Sequence, residues 1–355
     1  MSACDFLKDR FPDLGNCLPR LNLASLPTPV KSQEINVGNA THSLSIKYDN
    51  LTGTLYGGNK VRKLEYIFPR AIERHRLRIA TFGAVGSNHA LATALYARKA
   101  GFDCTCLLSH QAKTPLIGRT LNAHVKNNTE LICYGGSYHE RIGILRKSLW
   151  GRHTWVIPIG GSSWLGTMGF VAAGLELTEQ IKRGEIPKPD RLYVGTGTMG
   201  TAVGLALGLA SGGLDTEINA VRITPGSLTN LGAIRALTCK TAAMMHALDE
   251  TVPPDLAGKT NIRLRDEFFG PGYAESTIAS EAAVRFGLDQ LDLALETTYT
   301  GKTLAAVLSD LQSPTACKLN PLYWHTYNSA PLDVPADRPL DTNALPENFL
   351  QYFSN

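Results

Sequence analysis

The sequence predicts an α/β protein with largely parallel sheets. Short apolar, β-rich runs alternate with longer helical stretches along most of the chain, the pattern of helices layered on parallel strands. With 43% hydrophobic residues in 355, there is apolar surface to bury a sizeable core, and the length favours two domains over one.

The strand candidates, in order, are "LRIATF", "FDCTCLL", "ELICY", "TWVIPI", "RLYVG" and "INAVRI". Between them, "NHALATALYARKAG", "MGFVAAGLELTEQIKRG" and "GTAVGLALGLASG" read as helices. Glycine and serine cluster in "PIGGSSWLGTMG", residues 158–169, and "RGEIPKPD" follows before "RLYVG"; both are loops and candidate domain joints. After Leu319 the prolines of "SAPLDVPADRPLDTNALPENF" predict a tail packed across the surface. The chain shows no repeat and no low-complexity tract.

Charge and cysteine usage narrow the function classes. A charged fraction of 19% and a formal net charge of +4 are too mild and too scattered for nucleic acid or anionic membrane as the main partner. No stretch is apolar for the roughly eighteen residues that a membrane span needs. Asp5, Lys8 and Asp9 interrupt the N-terminus, so it resembles neither a secretory signal nor an anchor. Cys4, Cys17, Cys104, Cys106, Cys133, Cys239 and Cys317 are odd in number, with no C-x-x-C pair and no Cys/His metal cluster. Reduced thiols in a cytoplasmic setting, and no metal, are expected. Cys104 and Cys106 share a strand face and read as small buried side chains.

"RLYVGTGTMGTAVGLALGLASG" runs a strand into Gly195, Gly197 and Gly200 and then into an apolar helix. Such a loop lets backbone approach an anion, and the helix N-terminus holds its charge; Thr196, Thr198 and Thr201 add hydroxyls. The same residues match G-x-G-x-x-G, so a dinucleotide is a competing ligand and a plain tight turn a third reading. A dinucleotide site wants an acidic residue after the next strand, where "INAVRI" instead meets Thr224, Pro225 and Gly226. A monophosphate is therefore preferred. Together with the lysine of "LYGGNKVRKLE", Lys60, it suggests pyridoxal 5'-phosphate, held by its phosphate and by a Schiff base.

"YDNLTGTLYGGNKVRKLEYI", "FGAVGSNHALATALYARKAGF", "GGSSWLGTMGFVAAGLEL", "FFGPGYAEST" and "TTYTGKTLAAVL" resemble, in order and spacing, the D-cysteine desulfhydrase and 1-aminocyclopropane-1-carboxylate deaminase family of pyridoxal phosphate enzymes, from about Leu26 to Thr326. The resemblance implies a tryptophan synthase β-like fold (fold type II) of two three-layer α/β/α domains. The larger would take residues 1–61 and 165–355 and the smaller 62–164, with the cofactor in the cleft between them and a homodimer as the assembly. It assigns Lys60 to the Schiff base and to proton transfer at the substrate α-carbon, Asn88 to the cofactor's phenolic oxygen and Ser87 to the substrate carboxylate. His89 joins that turn among the substrate-binding residues. Gly197, Thr198, Met199, Gly200 and Thr201 match the phosphate cradle, and Tyr273 and Tyr299 match active-site tyrosines. Read without the family, either tyrosine fits a half-buried packing position better than a catalytic one.

Thr300 matches the position facing the pyridine nitrogen, where a hydroxyl is expected to leave that nitrogen unprotonated and so to favour β-elimination. Thr300 and Thr326 side with the desulfhydrases, since the deaminases carry glutamate and leucine there. The implied reaction on a small amino acid removes the α-proton and expels a β-substituent, giving pyruvate and ammonia, with sulfide if the substrate is D-cysteine. The alternatives are a 1-aminocyclopropane-1-carboxylate deaminase or another amino acid deaminase or sulfo-lyase, a non-catalytic relative and, more distantly, an NAD(P)-dependent oxidoreductase. Several residues depart from the family pattern: Gly86 stands for a glutamine, Leu91 and Ala92 for arginine and glutamine, Tyr327 and Asn328 for two glycines, and "ETTY" for "DPVY". His89 and His325 read as hydrogen-bonded supports beside the base Lys60, and Arg62 and Lys63 as solvated helix positions.

Overall fold

The computed structural model describes residues 5–149, 153–313 and 319–353; Cys4 and Cys317 lie outside the described residues. In chain order the elements are α1 (Phe6–Arg10), α2 (Pro12–Cys17), β1 (Val30–Val37), β2 (Ala40–Tyr48), α3 (Lys60–Glu73), β3 (Arg78–Ala84), α4 (Asn88–Lys99), β4 (Asp103–Ser109), α5 (Ile117–Lys126), β5 (Glu130–Cys133), α6 (Tyr138–Leu149) and β6 (Thr154–Ile157). There follow α7 (Trp164–Lys182), β7 (Arg191–Thr196), α8 (Gly200–Ser211), β8 (Glu217–Arg222), α9 (Leu231–Leu248), β9 (Ile262–Arg265), α10 (Ile278–Leu291), α11 (Thr300–Leu311) and β10 (Pro321–His325). Described residues up to Tyr66, with those from Ser162 to Ser329, form one compact unit; those from Ile67 to Gly161, with those from Ala330 onward, form another.

The first unit is built on a sheet of order β1-β2-β10-β7-β8-β9. β1 and β2 form an antiparallel hairpin whose last pair is Val37 with Ala40, and Gly38 supplies the positive φ of +61° at the turn, which glycine adopts without strain. The remaining neighbours are parallel. β10 is central and buried at every position: Leu322 lies opposite Ser45 on one side and Leu192 on the other. Phe170, Leu192, Val194, Leu205, Ile218 and Trp324 pack into one apolar cluster against this sheet. Helices α7 and α8 meet through glycines, where a Cβ on Gly174 would lie 2.9 Å from the Gly208 Cα. That close approach fixes the line of α8, and hence the place where its N-terminus opens.

Arg62 and Lys63 correct the expectation of solvated helix positions, for they are only 1% and 2% exposed. The first turn of α3 faces into the unit, where two buried carboxylates need cations. The Arg62 fork gives Nη2 to Asp49 Oδ1 at 2.7 Å and Nε to Asp49 Oδ2 at 3.0 Å. It also gives Nη1 to Glu176 Oε2 at 2.9 Å, while Lys47 Nζ donates to Glu176 Oε1 at 2.5 Å. Only arginine presents planar paired donors in this way.

The second unit has a wholly parallel sheet of order β5-β4-β3-β6. Cys104 and Cys106 are both buried on β4, with sulfurs 3.9 Å apart. The C-terminal segment belongs here, although the sequence reading groups it with the larger domain. Asn122 on α5 donates to Pro335 O at 2.9 Å and Arg338 O at 2.8 Å and accepts from Leu340 N at 2.9 Å. Backbone groups that prolines leave without a ladder partner are thus taken up by one amide side chain.

Burial alone would raise the Glu176 carboxyl, but Arg62 and Lys47, by charge and hydrogen bonds, hold it at about 2 against an ordinary 4.5. A depressed carboxylate adds stability that is present above its unfolded value and lost as pH falls through the folded one. Urea unfolding of the wild-type protein is therefore expected to weaken between pH 4.5 and about 2. Glu176→Gln should lose that part of the acid dependence and start about 3–5 kcal/mol less stable.

Candidate active site

The glycine loop between β7 and α8 has the form of an anion cradle. Met199 precedes α8 with φ 65° and its side chain does not cap the helix, so the first-turn N–H groups face the loop mouth. Gly197 O is fixed by the hydroxyls of Thr224 and Thr229 at 2.7 and 2.6 Å. Thr224 thus stands where a dinucleotide site would place its ribose-binding acid. A Cβ on Gly200 would lie 2.7 Å from Ser162 Oγ and 3.1 Å from Lys63 Nζ, and one on Gly197 would lie 3.2 Å from Tyr299 Cε1. Side chains from elsewhere thus close over both glycines. Ser162 Oγ joins the rim: it lies 2.8 Å from Thr198 Oγ1 and 3.1 Å from Lys63 Nζ, and accepts from Gly200 N at 3.2 Å.

Lys60 opens α3 after the turn Gly57-Gly58-Asn59. Gly58 has φ +88°, and a Cβ there would lie 2.6 Å from Thr326 O. Gly58 N donates to Asp49 O at 2.9 Å and Asn59 N to Thr326 O at 3.1 Å, while Gly57 N donates to Asn328 Oδ1 at 2.6 Å. Asn328, one of the departures from the family pattern, therefore holds the turn that presents the lysine. Asn59 Nδ2 then donates to Thr201 Oγ1 at 3.2 Å, linking that turn to the first turn of α8. Burial lowers the Lys60 ammonium to about 8. Lys63 is pushed well below the ordinary lysine range, by burial first and then by the Lys60 charge.

The Lys63 amine beside the start of α8, with the hydroxyls of Ser162, Thr198 and Thr201 around it, forms a donor set without an acid. That set fits the phosphate of pyridoxal 5'-phosphate, and the lowered Lys60 amine suits its carbonyl carbon. Lys63, Ser162 and Asn59 were not singled out from the sequence. The signal for Lys63 was its spacing, since residues three apart share a helix face.

Tyr299 lies over Gly197, and its hydroxyl is 3.2 Å from that of Tyr273; the rings meet edge to face at 6.3 Å and 81°. Burial raises both phenols. Glu296 accepts from the N–H groups of Thr298, Tyr299 and Thr300 at 2.7, 2.8 and 2.7 Å, so its carboxylate holds the start of α11. The Thr300 hydroxyl accepts from Glu296 N at 2.9 Å and donates to Glu296 Oε1 at 3.0 Å. The Glu296 backbone oxygen, at 3.1 Å, is a second acceptor for the same hydroxyl proton.

Ser87, Asn88 and His89 lie in the other unit at the start of α4. Ser87 Oγ accepts from Ala90 N at 3.2 Å and caps the helix. His89 is buried, with Nε2 2.8 Å from Thr81 Oγ1, and Thr81 in turn donates to Ile157 O at 3.2 Å. In the first unit His325 is buried too, stacked on Tyr323 at 6.0 Å, and burial lowers it to about 4. Among the described residues no group of three or more His, Cys, Asp or Glu side chains could hold a metal ion. No helix among them is long and apolar enough to cross a membrane.

Comparison with known proteins gives consistent results. The family model described as pyridoxal-phosphate dependent enzyme matches residues 21–318. The D-cysteine desulfhydrase of Salmonella paratyphi A is 30% identical over 306 residues, covering 82% of this chain and 88% of that protein. A solved ACC deaminase homologue superposes with a TM-score of 0.71 at 27% identity, covering 92% of this chain and 96% of its own. A fungal L-serine ammonia-lyase from Rhizomucor miehei, at 16% identity and a TM-score of 0.58 over 88% of this chain and 95% of its own, shares the fold.

Apoprotein is expected to capture pyridoxal 5'-phosphate at a rate that rises with pH through a midpoint near 8, where Lys60 loses its proton, rather than near the ordinary 10.5; stopped-flow absorbance reads it. Gly200→Ala displaces Ser162 from its bridge to Thr198 and should weaken equilibrium binding of the cofactor about tenfold, as followed by absorbance titration.

Proposed function

We propose, from the premise that this chain belongs to the pyridoxal-phosphate dependent enzyme family, that it is a lyase that removes the α-proton of a small amino acid and expels a β-substituent. The products are pyruvate and ammonia, with sulfide when the substituent is a thiol. The observation that carries the reading is the bond from Asn59 to Thr201, which ties the turn bearing Lys60, lowered to about 8, to the anion cradle.

Pyridoxal phosphate, when bound, supplies the electron sink that makes an α-proton removable. The chain's residues do the rest. Gly197 to Thr201 and Ser162 would hold the phosphate, with Lys63 Nζ beside Ser162 as a further hydrogen-bond donor. Lys60, neutral in part near pH 8, would hold the cofactor by its carbonyl carbon and would move the α-proton as general base. Tyr299 and Tyr273, whose hydroxyls share a contact, hold or pass a proton beside it. Ser87 and Asn88 receive the carboxylate at the N-terminus of α4, where an anion is favoured. His89 and His325 support their neighbours. The desulfhydrase name of the relative from Salmonella supports a β-elimination.

One observation favours a second reading, a deaminase of the 1-aminocyclopropane-1-carboxylate type. The Glu296 carboxylate behind Thr300 makes that hydroxyl an acceptor, and an acceptor stabilises a protonated ring nitrogen. The solved ACC deaminase homologue keeps this reading in view.

A panel of D- and L-amino acids and 1-aminocyclopropane-1-carboxylate, scored for pyruvate, 2-oxobutyrate, ammonia and sulfide, separates the two. Pyruvate and sulfide from D-cysteine support the first; 2-oxobutyrate from the cyclopropane substrate replaces it. Lys60→Ala is expected to lower kcat at least about a thousandfold, about 4 kcal/mol in barrier, and turnover at the wild-type rate would sink the assignment.

A further inference from the structure

Gly86 precedes the Ser87–Asn88 turn and brings no side chain to it. The space beside it holds Gln111, from the loop after β4. Gly86 N donates to Gln111 Oε1 at 3.2 Å, and a Cβ on Gly86 would lie 3.0 Å from Gln111 Nε2 and 3.3 Å from Oε1. Because an N–H must meet an acceptor, this bond decides which end of the amide is oxygen. It leaves the Nε2 protons on the side where a side chain at position 86 would project.

Gln111 is itself braced. The Tyr352 hydroxyl accepts from Gln111 N at 3.2 Å and donates to Gln111 O at 3.2 Å, with His110 Nδ1 at 3.0 Å. The other ring nitrogen of His110, Nε2, lies 3.6 Å from Cys133 Sγ. Tyr352 stacks on His110 at 5.9 Å and 29°, and Phe349 meets the same ring at 5.7 Å. Both residues come from the C-terminal segment, beyond the span 21–318 that the family model matches.

We propose that Gln111 is a substrate-positioning residue: its side-chain amide supplies the donor that residue 86 lacks to the carboxylate received at Ser87 and Asn88, and the C-terminal segment holds it in place through Tyr352. The inference rests on the carboxylate role given to that turn above.

The test is equilibrium binding of 2-aminoisobutyrate, an amino acid without an α-proton, to the holoenzyme by calorimetry. Steady-state kcat and KM are measured beside it for the amino acid that is turned over fastest. Gln111→Glu keeps an acceptor for Gly86 N and removes both amide donors. It should weaken binding and raise KM about tenfold or more while kcat stays within about twofold. Gln111→Ala should weaken binding similarly, and adding Gly86→Gln to it returns an amide from the neighbouring backbone and should restore affinity to within about threefold. Tyr352→Phe should cost about threefold in affinity. Wild-type affinity in Gln111→Glu and Gln111→Ala overturns the proposal, as does a fall confined to kcat, or a double variant as weak as Gln111→Ala. A wild-type holoenzyme that binds cofactor but neither binds 2-aminoisobutyrate nor turns over any amino acid overturns the reading of the site, and this inference with it.

Discussion

The larger unit is referenced to one buried ion cluster. Arg62 sits between Asp49 and Glu176, so the first turn of α3, the end of β2 and the middle of α7 are held by one planar group. The desolvation cost of such a cluster is recovered only when every donor meets an acceptor, which makes the arrangement intolerant of small displacements. Asp49 carries the constraint onward through its carbonyl, which takes the Gly58 N–H. The turn before Lys60 is thus positioned by charge on one side and by the backbone after β10 on the other. A reactive amine that loses hydration needs such rigid neighbours, because nothing solvent-like remains to hold it.

The parallel strands and apolar helices were legible in the chain because their pattern is local: "RLYVG", "INAVRI" and "FDCTCLL" each show an apolar run between turn residues. β1 and β2 escaped because exposed polar residues break their alternation, β9 because two of its four residues are arginines, and β10 because proline opens it and histidine closes it. The glycine loop, Lys60 and both tyrosines could be singled out from motif and order. Lys63, Ser162 and Glu296 could not, since each acquires its place through a partner distant in sequence or through a helix start that spacing alone does not mark. Arg62 was misread for the same reason: a basic residue looks solvated until the carboxylates facing it are known.

The departures from the family pattern are not evenly spread. Asn328 accepts from Gly57, and Gly86 admits Gln111. At these two positions the change in side-chain size is matched by a polar contact from another segment. A glycine lost at one place and gained at another is a redistribution of volume around the same backbone turns, and neither turn is left without a bond.

β10 has a further consequence for how the molecule is made. It lies between β2 and β7, opposite Ser45 and Leu192, yet it is the last strand among the described residues. Until it emerges from the ribosome, the hairpin at the N-terminal edge has no neighbour and β7 has an open side. Unpaired strand edges are the surfaces that associate wrongly during synthesis. Completion of the six-stranded sheet is therefore a late, long-range event of high contact order, and the nascent chain must keep two edges apart until a five-residue insert arrives.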